Sequence, residues 1–554
     1  MMNIPVTIFT WMMALLPIIL LLVLMVKFQV PAMKAAPLGL LVSLVTAVAI
    51  YKAGPGVLMY ESVKGAWSAM VVLVVVWTAI LLYEMVNEAN AFGVFREGLQ
   101  KATPNELLQI LIIGRVFVSF LQGITGFGVP VAVGTPLLIG LGVHPIWAIY
   151  ICLMGHAWGN TYGTLAVAWD ALVLQSGIGQ DHQVLIQTGL WAAALIWVWN
   201  FITGIAICWA YGKWKGLKKG FFAIVVLAIV QGGGQMAMSA FNSTLACFVP
   251  CCISFAAVLI MSRMKMYSQE WRIEDSPVMK RAEADNGEKE ETDAAGNKEE
   301  EALQIKPSMT FHQAFSPYYA LTMITLCVLL ISPIKNFLGQ WQIGLSFPET
   351  STGYGFVNEA VESFSPFAPL THAGFFLFLS AMFGYLYFSR KGWIRPGGGK
   401  AALKRTNKKT LPSAIAVTGF IVMSKIMGGT GQTSVLAQGI ADVLGKGYII
   451  LSPIVGMLGS FMTSSNMASN ILFSNFQYTT AKLLGLDVAA VLGAQTAGGS
   501  IGATMCPGNI VLGTTTGGIS GSEGLVLKKV LPITVAMSVG VGIFLFLILV
   551  VFAA

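Results

Sequence analysis

Apolar runs long enough to cross a membrane follow one another along this chain, separated by short polar turns. The first extends from Val6 to Val26, and others lie at 36–52, 66–86, 146–169, 187–211, 221–238 and 243–261. After a charged interval they resume at 316–337, 370–388, 411–428, 487–505 and 531–553. A spanning helix takes about 20 apolar residues, so the pattern predicts about a dozen spans. Backbone facing lipid must satisfy its own hydrogen bonds, and helices do so, which gives an all-α polytopic membrane protein. No basic stretch precedes Val6–Val26, whereas a signal peptide has a basic start and a shorter core. It reads as a retained helix.

Two segments do not fit as plain spans. In 107–142 a short apolar limb runs into Gln122-Gly-Ile-Thr-Gly-Phe-Gly-Val-Pro130, and a second short limb leaves it. In 448–486 the interruption is Thr463-Ser-Ser-Asn-Met-Ala-Ser-Asn470. Ser119-Phe-Leu-Gln-Gly matches Ser460-Phe-Met-Thr-Ser at an offset of 341. Each unit continues into a span that meets a polar, glycine-rich stretch: Gly155–Gly163 in the first and Gln495–Thr504 in the second. These are expected to be re-entrant, broken-helix hairpins, one in each half of the chain.

Charge adds orientation. Only 10% of the 554 residues are charged, 56% are hydrophobic, and the mean hydropathy is +0.74. A soluble domain carries about 25% charged residues. The window 263–306 alone holds 12 of the 25 acidic and 8 of the 33 basic residues. It reads as a disordered, charged cytoplasmic linker between an N-terminal half, 1–262, and a C-terminal half, 307–554. Basic residues cluster in 213–219 and 389–409. The positive-inside rule places these loops and the linker in the cytoplasm, and both termini outside. The net charge of +8 therefore reports topology, with no nucleic-acid partner implied. The first hairpin then enters from the cytoplasm and the second from outside, giving two inverted-topology repeats. Interrupted segments at matching places in such repeats point to a transporter's midplane site.

Broken helices at membrane depth persist where they line a cavity or are buried in protein. Their free N–H groups attract an anion, while freed carbonyls and Ser, Thr and Asn oxygens suit a small hard cation. The candidate substrate contacts are Gln122, Thr125, Gly126, Phe127 and Gly128 in the first hairpin, and Ser465, Asn466, Ser469 and Asn470 in the second. Asn160, Gln495, Thr496 and Ser500 join them from the glycine-rich stretches. His156, Thr463, Ser464 and Asn466 are candidates for a coupling proton or Na⁺. Arg115 and Lys425 are cations inside apolar segments, and such charges need a partner or a role. A substrate anion is one partner; a carboxylate such as Asp170 or Asp442 is another.

Other chemistries are poorly served. Gly498-Gly-Ser-Ile-Gly502 has the GxSxG spacing but lacks the strand that such a nucleophile needs before it, so no enzyme is expected. No histidine pair has metal-ligand spacing, and no Walker A motif is present. Neither a metal nor another cofactor is expected beyond the coupling ion. The seven cysteines lie in or beside apolar runs and read as packing residues. A channel remains the competitor, since re-entrant hairpins also build pores. The partners implied are a small organic anion and membrane lipid. Monomer and homodimer stay open.

At its polar breaks the sequence resembles the bacterial L-lactate permease family. Phe120-Leu-Gln-Gly-Ile-Thr-Gly-Phe-Gly-Val-Pro-Val-Ala132 is similar to that family's FLEGxxGFGxPVA. Phe461-Met-Thr-Ser-Ser-Asn-Met-Ala-Ser-Asn-Ile-Leu-Phe473 is similar to FLTGSDTSSNALF, and Ala494–Pro507 to ANTTGGVxGKMISP. The resemblance covers the whole chain. It implies proton-coupled symport of L-lactate, glycolate or a similar 2-hydroxy monocarboxylate across the bacterial inner membrane. Gln122 stands where the family signature has Glu, Asn466 where it has Asp, and Ala503 where it has Lys. These departures keep a second reading in play: a Na⁺-coupled carrier of a dicarboxylate or sulfonate.

Overall fold

A computed structural model describes residues 4–28, 30–126, 128–280 and 309–552. Each half opens with three helices and a shorter fourth. In the first half these are Ile8–Leu22, Ala32–Ala49, Pro55–Glu88 and Ala91–Gln100. In the second they are Ser316–Leu330, Ala373–Arg390, Gly398–Gly429 and Gln432–Leu444. A hairpin follows in each, Glu106–Ile124 with Val129–Ile139 and Tyr448–Thr463 with Asn466–Leu484. An interrupted span comes next, Pro145–His156 with Gly163–Ser176 and Val488–Gly502 with Pro507–Thr516. The helices starting at His182 and Glu523 complete the series. Ala32 and Ala373, Ala91 and Gln432, and His182 and Glu523 are each 341 residues apart, the offset of the Ser119 and Ser460 motifs.

Packing is exchanged between the halves. Gly163–Ser176 lies against Asn466–Leu484, and Pro507–Thr516 lies against Val129–Ile139. His182–Leu227 packs on Val488–Gly502, and Glu523–Phe546 on Pro145–His156. Ala32–Ala49 meets Gly398–Gly429, just as Ala373–Arg390 meets Pro55–Glu88. An approximate twofold axis between two units produces this kind of reciprocity.

Small residues let the backbones touch. A β-carbon on Gly155 would overlap the carbonyl oxygen of Gly114, and one on Gly498 would overlap that of Pro453. In membranes, helices associate through such close van der Waals approach, because lipid is as apolar as leucine. Ser119 Oγ seals the first contact by donating to Gly155 O at 2.9 Å.

Among the described residues nine helices are long and apolar enough to cross a membrane, or ten if the bent pair Ser316–Leu330 and Ser332–Leu338 is one span. The count differs from the expected dozen because 146–169 and 487–505 are interrupted, at 157–162 and 503–506, leaving pieces too short to qualify alone, while 187–211 and 221–238 fall within one 60-residue stretch, His182–Phe241. The all-α expectation is corrected at the loop 339–369. There Ile343–Phe347 pairs antiparallel with Val361–Phe367, and Thr350–Ser351 with Val357–Asn358. This small β element docks on Pro55–Glu88 and on the end of Gly398–Gly429, where Trp67 Nε1 donates to Ser365 O (3.1 Å) and Asn358 Nδ2 to Gly429 O (2.9 Å).

The expected disordered linker begins later than its composition suggests. Residues 281–306 lie outside the described residues, but 263–280 form a strap with buried Tyr267, Ile273 and Val278. Thr103 Oγ1 donates to Tyr267 O (2.7 Å) and Glu106 N to Trp271 O (3.1 Å). At the other end of the hairpin, His144 N donates to Val278 O (2.8 Å) and Lys280 N to Gly142 O (2.7 Å). One strap thus holds both ends of the first hairpin, so that hairpin enters and leaves on one face.

An ion network braces the opening helices. Glu84, fully buried, receives Arg405 Nε and Lys409 Nζ at 2.6 Å each, and Arg405 also pairs with Glu88. The cations are partly solvated, so removing the acid costs less than breaking a wholly buried pair. Glu84→Ala is expected to lower stability by about 1–2 kcal/mol. Thermal unfolding of the purified protein checks this, and an unchanged midpoint would contradict it.

Candidate functional site

The polar breaks of the two hairpins and the two interrupted spans converge. Gly126 and Gly128 turn the first hairpin with φ of +55° and +80°, a region where only glycine is unstrained. Space beside Gly126 is bounded by Thr164 Oγ1 of the first interrupted span, and beside Gly128 by Asn509 and Leu512 of the second. In the second hairpin Ser464 takes the left-handed conformation (φ +56°), and its hydroxyl accepts from Gly508 N at 3.0 Å. Ser465 caps the return limb, accepting from Ala468 N. The first interrupted span holds Thr164, Leu165 and Ala166 in left-handed geometry. Such residues cost roughly 1–2 kcal/mol each, strain that characteristically persists at functional sites.

A hydroxyl and amide cluster joins the second hairpin to the two interrupted spans. Asn466 Nδ2 donates to Thr161 Oγ1 (3.2 Å) and Thr496 Oγ1 (3.4 Å). Asn470 Nδ2 donates to Thr496 Oγ1 (2.9 Å) and Ala168 O (2.8 Å). Thr161 Oγ1 lies 3.1 Å from Ser500 Oγ. Gln495 Nε2 donates to Ser469 Oγ (3.1 Å), and Gln477 Nε2 donates to Gln495 Oε1 (2.8 Å). With these carboxamide orientations, Asn466 Oδ1 and Asn470 Oδ1 are buried acceptors that receive no hydrogen bond among the described residues. Gly499 and Ser460 Oγ border the Asn466 oxygen, and a β-carbon on Gly499 would fill that space.

The sequence-derived candidates divide accordingly. Asn466, Asn470, Ser469, Gln495, Thr496 and Ser500 come together in the cluster. Gln122 lies along Gly159 and Gly163, with no hydrogen bond to its carboxamide. Thr125 Oγ1 and Thr463 Oγ1 donate back to their own limbs, to Leu121 O (2.9 Å) and Gly459 O (2.8 Å). Asn160 Nδ2 donates to Ala157 O at 3.0 Å. Phe127 lies outside the described residues.

Three candidates are placed elsewhere. Arg115 is fully buried, with Nη2 donating to Asn200 Oδ1 (2.6 Å) and Asn200 O (2.8 Å) and Nε to Gln231 Oε1 (3.3 Å). It ties the first hairpin to the long helix behind it rather than turning towards the breaks. Lys425 faces the outer β element, 5.4 Å from the Phe364 ring centroid. Lys64 shares that ring and pairs with Glu61 at 2.7 Å. His156 Nδ1 donates to Cys152 O (2.6 Å) within its own helix. Neither Asp170 nor Asp442 partners these cations, and Asp442 instead accepts from Gln438.

Thr161 and Gln477 are cluster members that the candidate set lacks. Thr161 falls inside the flagged stretch Gly155–Gly163. Gln477 completes a helical stripe with Asn466, Asn470 and Ser474, the spacing that marks one helix face. Among the described residues no group of acidic, histidine or cysteine side chains could hold a metal ion.

Residues 10–552 match the family described as L-lactate permease. The "L-lactate permease" of Halalkalibacterium halodurans is 26% identical over 524 residues, covering 94% of this chain and 93% of that protein. The "Glycolate permease GlcA" of Escherichia coli K12 is 25% identical, covering 92% and 90%. The "L-lactate permease" of Salmonella typhimurium is 24% identical with the same coverages. Among solved structures, the Alcanivorax borkumensis YdaH transporter aligns over 86% of this chain and 83% of its own. Its identity is 15% and its TM-score 0.40, a likeness too distant to bear on function. A family match spanning nearly the whole sequence, on a multi-pass helical membrane protein with polar breaks at the matched motifs, places this chain in the L-lactate permease family.

Proposed function

We propose that the protein is a secondary active transporter that imports a small 2-hydroxy monocarboxylate of the lactate and glycolate type. It would work by alternating access across the bacterial inner membrane, coupled to protons. The observation that carries this reading is the Thr161–Asn466–Thr496–Asn470 cluster, built by the second hairpin and both interrupted spans, with the first hairpin turn against the first interrupted span at Gly159, Gly163 and Thr164, in a chain whose relatives are named for lactate and glycolate. The reciprocal packing of the two series supports inverted repeats that rock about this meeting point. The substrate carboxylate would meet the N-terminus of Asn466–Leu484, whose first N–H groups and dipole favour negative charge. Its hydroxyl would bond to Asn466 and the neighbouring threonines, and Gln122 would border it from the first hairpin.

One observation favours the second reading, Na⁺ coupling. Asn466 Oδ1 and Asn470 Oδ1, buried without donors among hydroxyl oxygens, are ligands that a hard cation would accept.

Counterflow of labelled L-lactate into proteoliposomes preloaded with unlabelled L-lactate tests the substrate class. Glycolate is expected to compete strongly, and a dicarboxylate or sulfonate weakly. Exchange that only the larger anions inhibit would contradict a monocarboxylate site.

A further inference from the structure

We infer that Asp170 carries the coupling proton in this chain, an assignment that rests on the proton-coupled reading above. Asp170 lies in Gly163–Ser176, the second piece of the first interrupted span, one turn beyond the left-handed residues Thr164–Ala166. Its immediate neighbours on the chain are bonded into the polar cluster. Ala168 O accepts from Asn470, and Trp169 N donates to Thr161 O at 3.0 Å. Val167–Trp169, Ala171 and Leu172 are all buried, whereas Asp170 is exposed. The helix packs on Asn466–Leu484, Val118–Ile124 and Pro55–Glu88, and Asp170 is the position of 167–172 that these contacts leave exposed. A carboxylate within a spanning bundle characteristically faces a water-filled cavity and marks an ion path.

The other acids of the spanning region are engaged. Glu61 pairs with Lys64, and Glu84 and Glu88 pair with Arg405. Glu106 receives the Tyr211 hydroxyl, Asp181 and Asp487 cap helices, and Glu523 receives Thr514. Among the described residues Asp170 has neither a hydrogen-bond partner nor an ion-pair partner. Of the elements packed on its helix, Val118–Ile124 and Val488–Gly502 carry no titratable side chain. Asn466–Leu484 carries Tyr478 and Lys482, which stack on each other. Pro55–Glu88 carries Tyr60, Tyr83 and the paired acids with Lys64, and Lys425 lies beyond the Ser424–Gln175 contact. None of these forms a bond with Asp170.

The charge balance fits symport. An ionised Asp170, two residues from the backbone oxygen that Asn470 holds, would add a like charge near a carboxylate bound at the cluster, and each disfavours the other. Anion binding therefore requires Asp170–COO⁻ to take up a proton, and anion release lets Asp170–COOH give it back on the other side. The empty carrier with ionised Asp170 and the loaded carrier with neutral Asp170 have the same net charge. One proton then accompanies one monocarboxylate. The amides at Gln122 and Asn466 leave this task to a carboxylate elsewhere in the site region.

The test uses the full-length protein in proteoliposomes with labelled L-lactate. Wild type is expected to accumulate lactate under an inward proton gradient. Asp170→Asn is expected to lose at least about tenfold of that accumulation while still exchanging lactate between equilibrated pools, because an amide cannot take up the proton. Asp170→Glu should recover gradient-driven uptake in part. Asp170→Asn accumulating lactate as wild type does would overturn the assignment alone. Loss of exchange as well, in a variant with an unchanged melting temperature, would also overturn it and leave Asp170 a binding role. Wild type that ignores the proton gradient would overturn the underlying proton-coupled reading, and this assignment with it.

Discussion

Gly498→Ala is expected to destabilise the protein by about 3 kcal/mol, the upper end of the usual overpacking cost. The added methyl overlaps the carbonyl oxygen of Pro453, and neither helix has a flexible side chain there to move aside. Gly155→Ala is expected to behave alike, because its methyl meets Gly114 O. Each contact joins the entering limb of a hairpin to the interrupted span that follows it, so both variants should lower the thermal midpoint by several degrees. A surface control such as Gly540→Ala, where a β-carbon meets nothing, should not. Wild-type midpoints for both variants would mean that the hairpins are not packed on their interrupted spans as described.

Asn466→Leu is expected to weaken substrate half-saturation by about 30-fold. It removes the contact proposed for the substrate hydroxyl and the bonds to Thr161 and Thr496 that orient its partners, together a loss of about 2 kcal/mol of binding at about 1 kcal/mol per hydrogen bond. It also puts a methyl where the Asn466 oxygen lies against Gly499. Leucine keeps the volume and the helix propensity of the position, so folding should survive while uptake fails. Concentration-dependent uptake, read beside a melting curve, separates the two. An unchanged half-saturation would remove Asn466 from the site and with it the cluster's claim to the substrate.

Much of this arrangement was legible from local pattern. Gly126, Gly128 and the Ser464–Ser465 pair announce breaks because few residues tolerate those turns at membrane depth, and the 341-residue offset between Ser119 and Ser460 extends to whole helices. The break at 157–162 was less visible. Its tryptophan and neighbouring apolar residues sustain a hydrophobic average across a helix that is no longer continuous. Arg115 could not be placed from sequence, since its partners Asn200 and Gln231 are polar residues inside another apolar run, brought near only by folding. The strap 263–280 was concealed by its charge. Tyr267, Ile273 and Val278 follow no helical or strand period, and they are buried through backbone bonds to Thr103, Glu106 and His144. Asp170 read as a pairing partner for a cation, and its lack of any partner became visible only in three dimensions.

The most direct test of the account is uptake of labelled L-lactate by proteoliposomes under an imposed inward proton gradient, compared with an imposed Na⁺ gradient at equal pH. The account predicts accumulation above the external concentration with the proton gradient, abolished by a protonophore and indifferent to Na⁺. Accumulation that follows Na⁺ and ignores the proton gradient would contradict it, and would assign the unpaired oxygens of Asn466 and Asn470 to a bound cation.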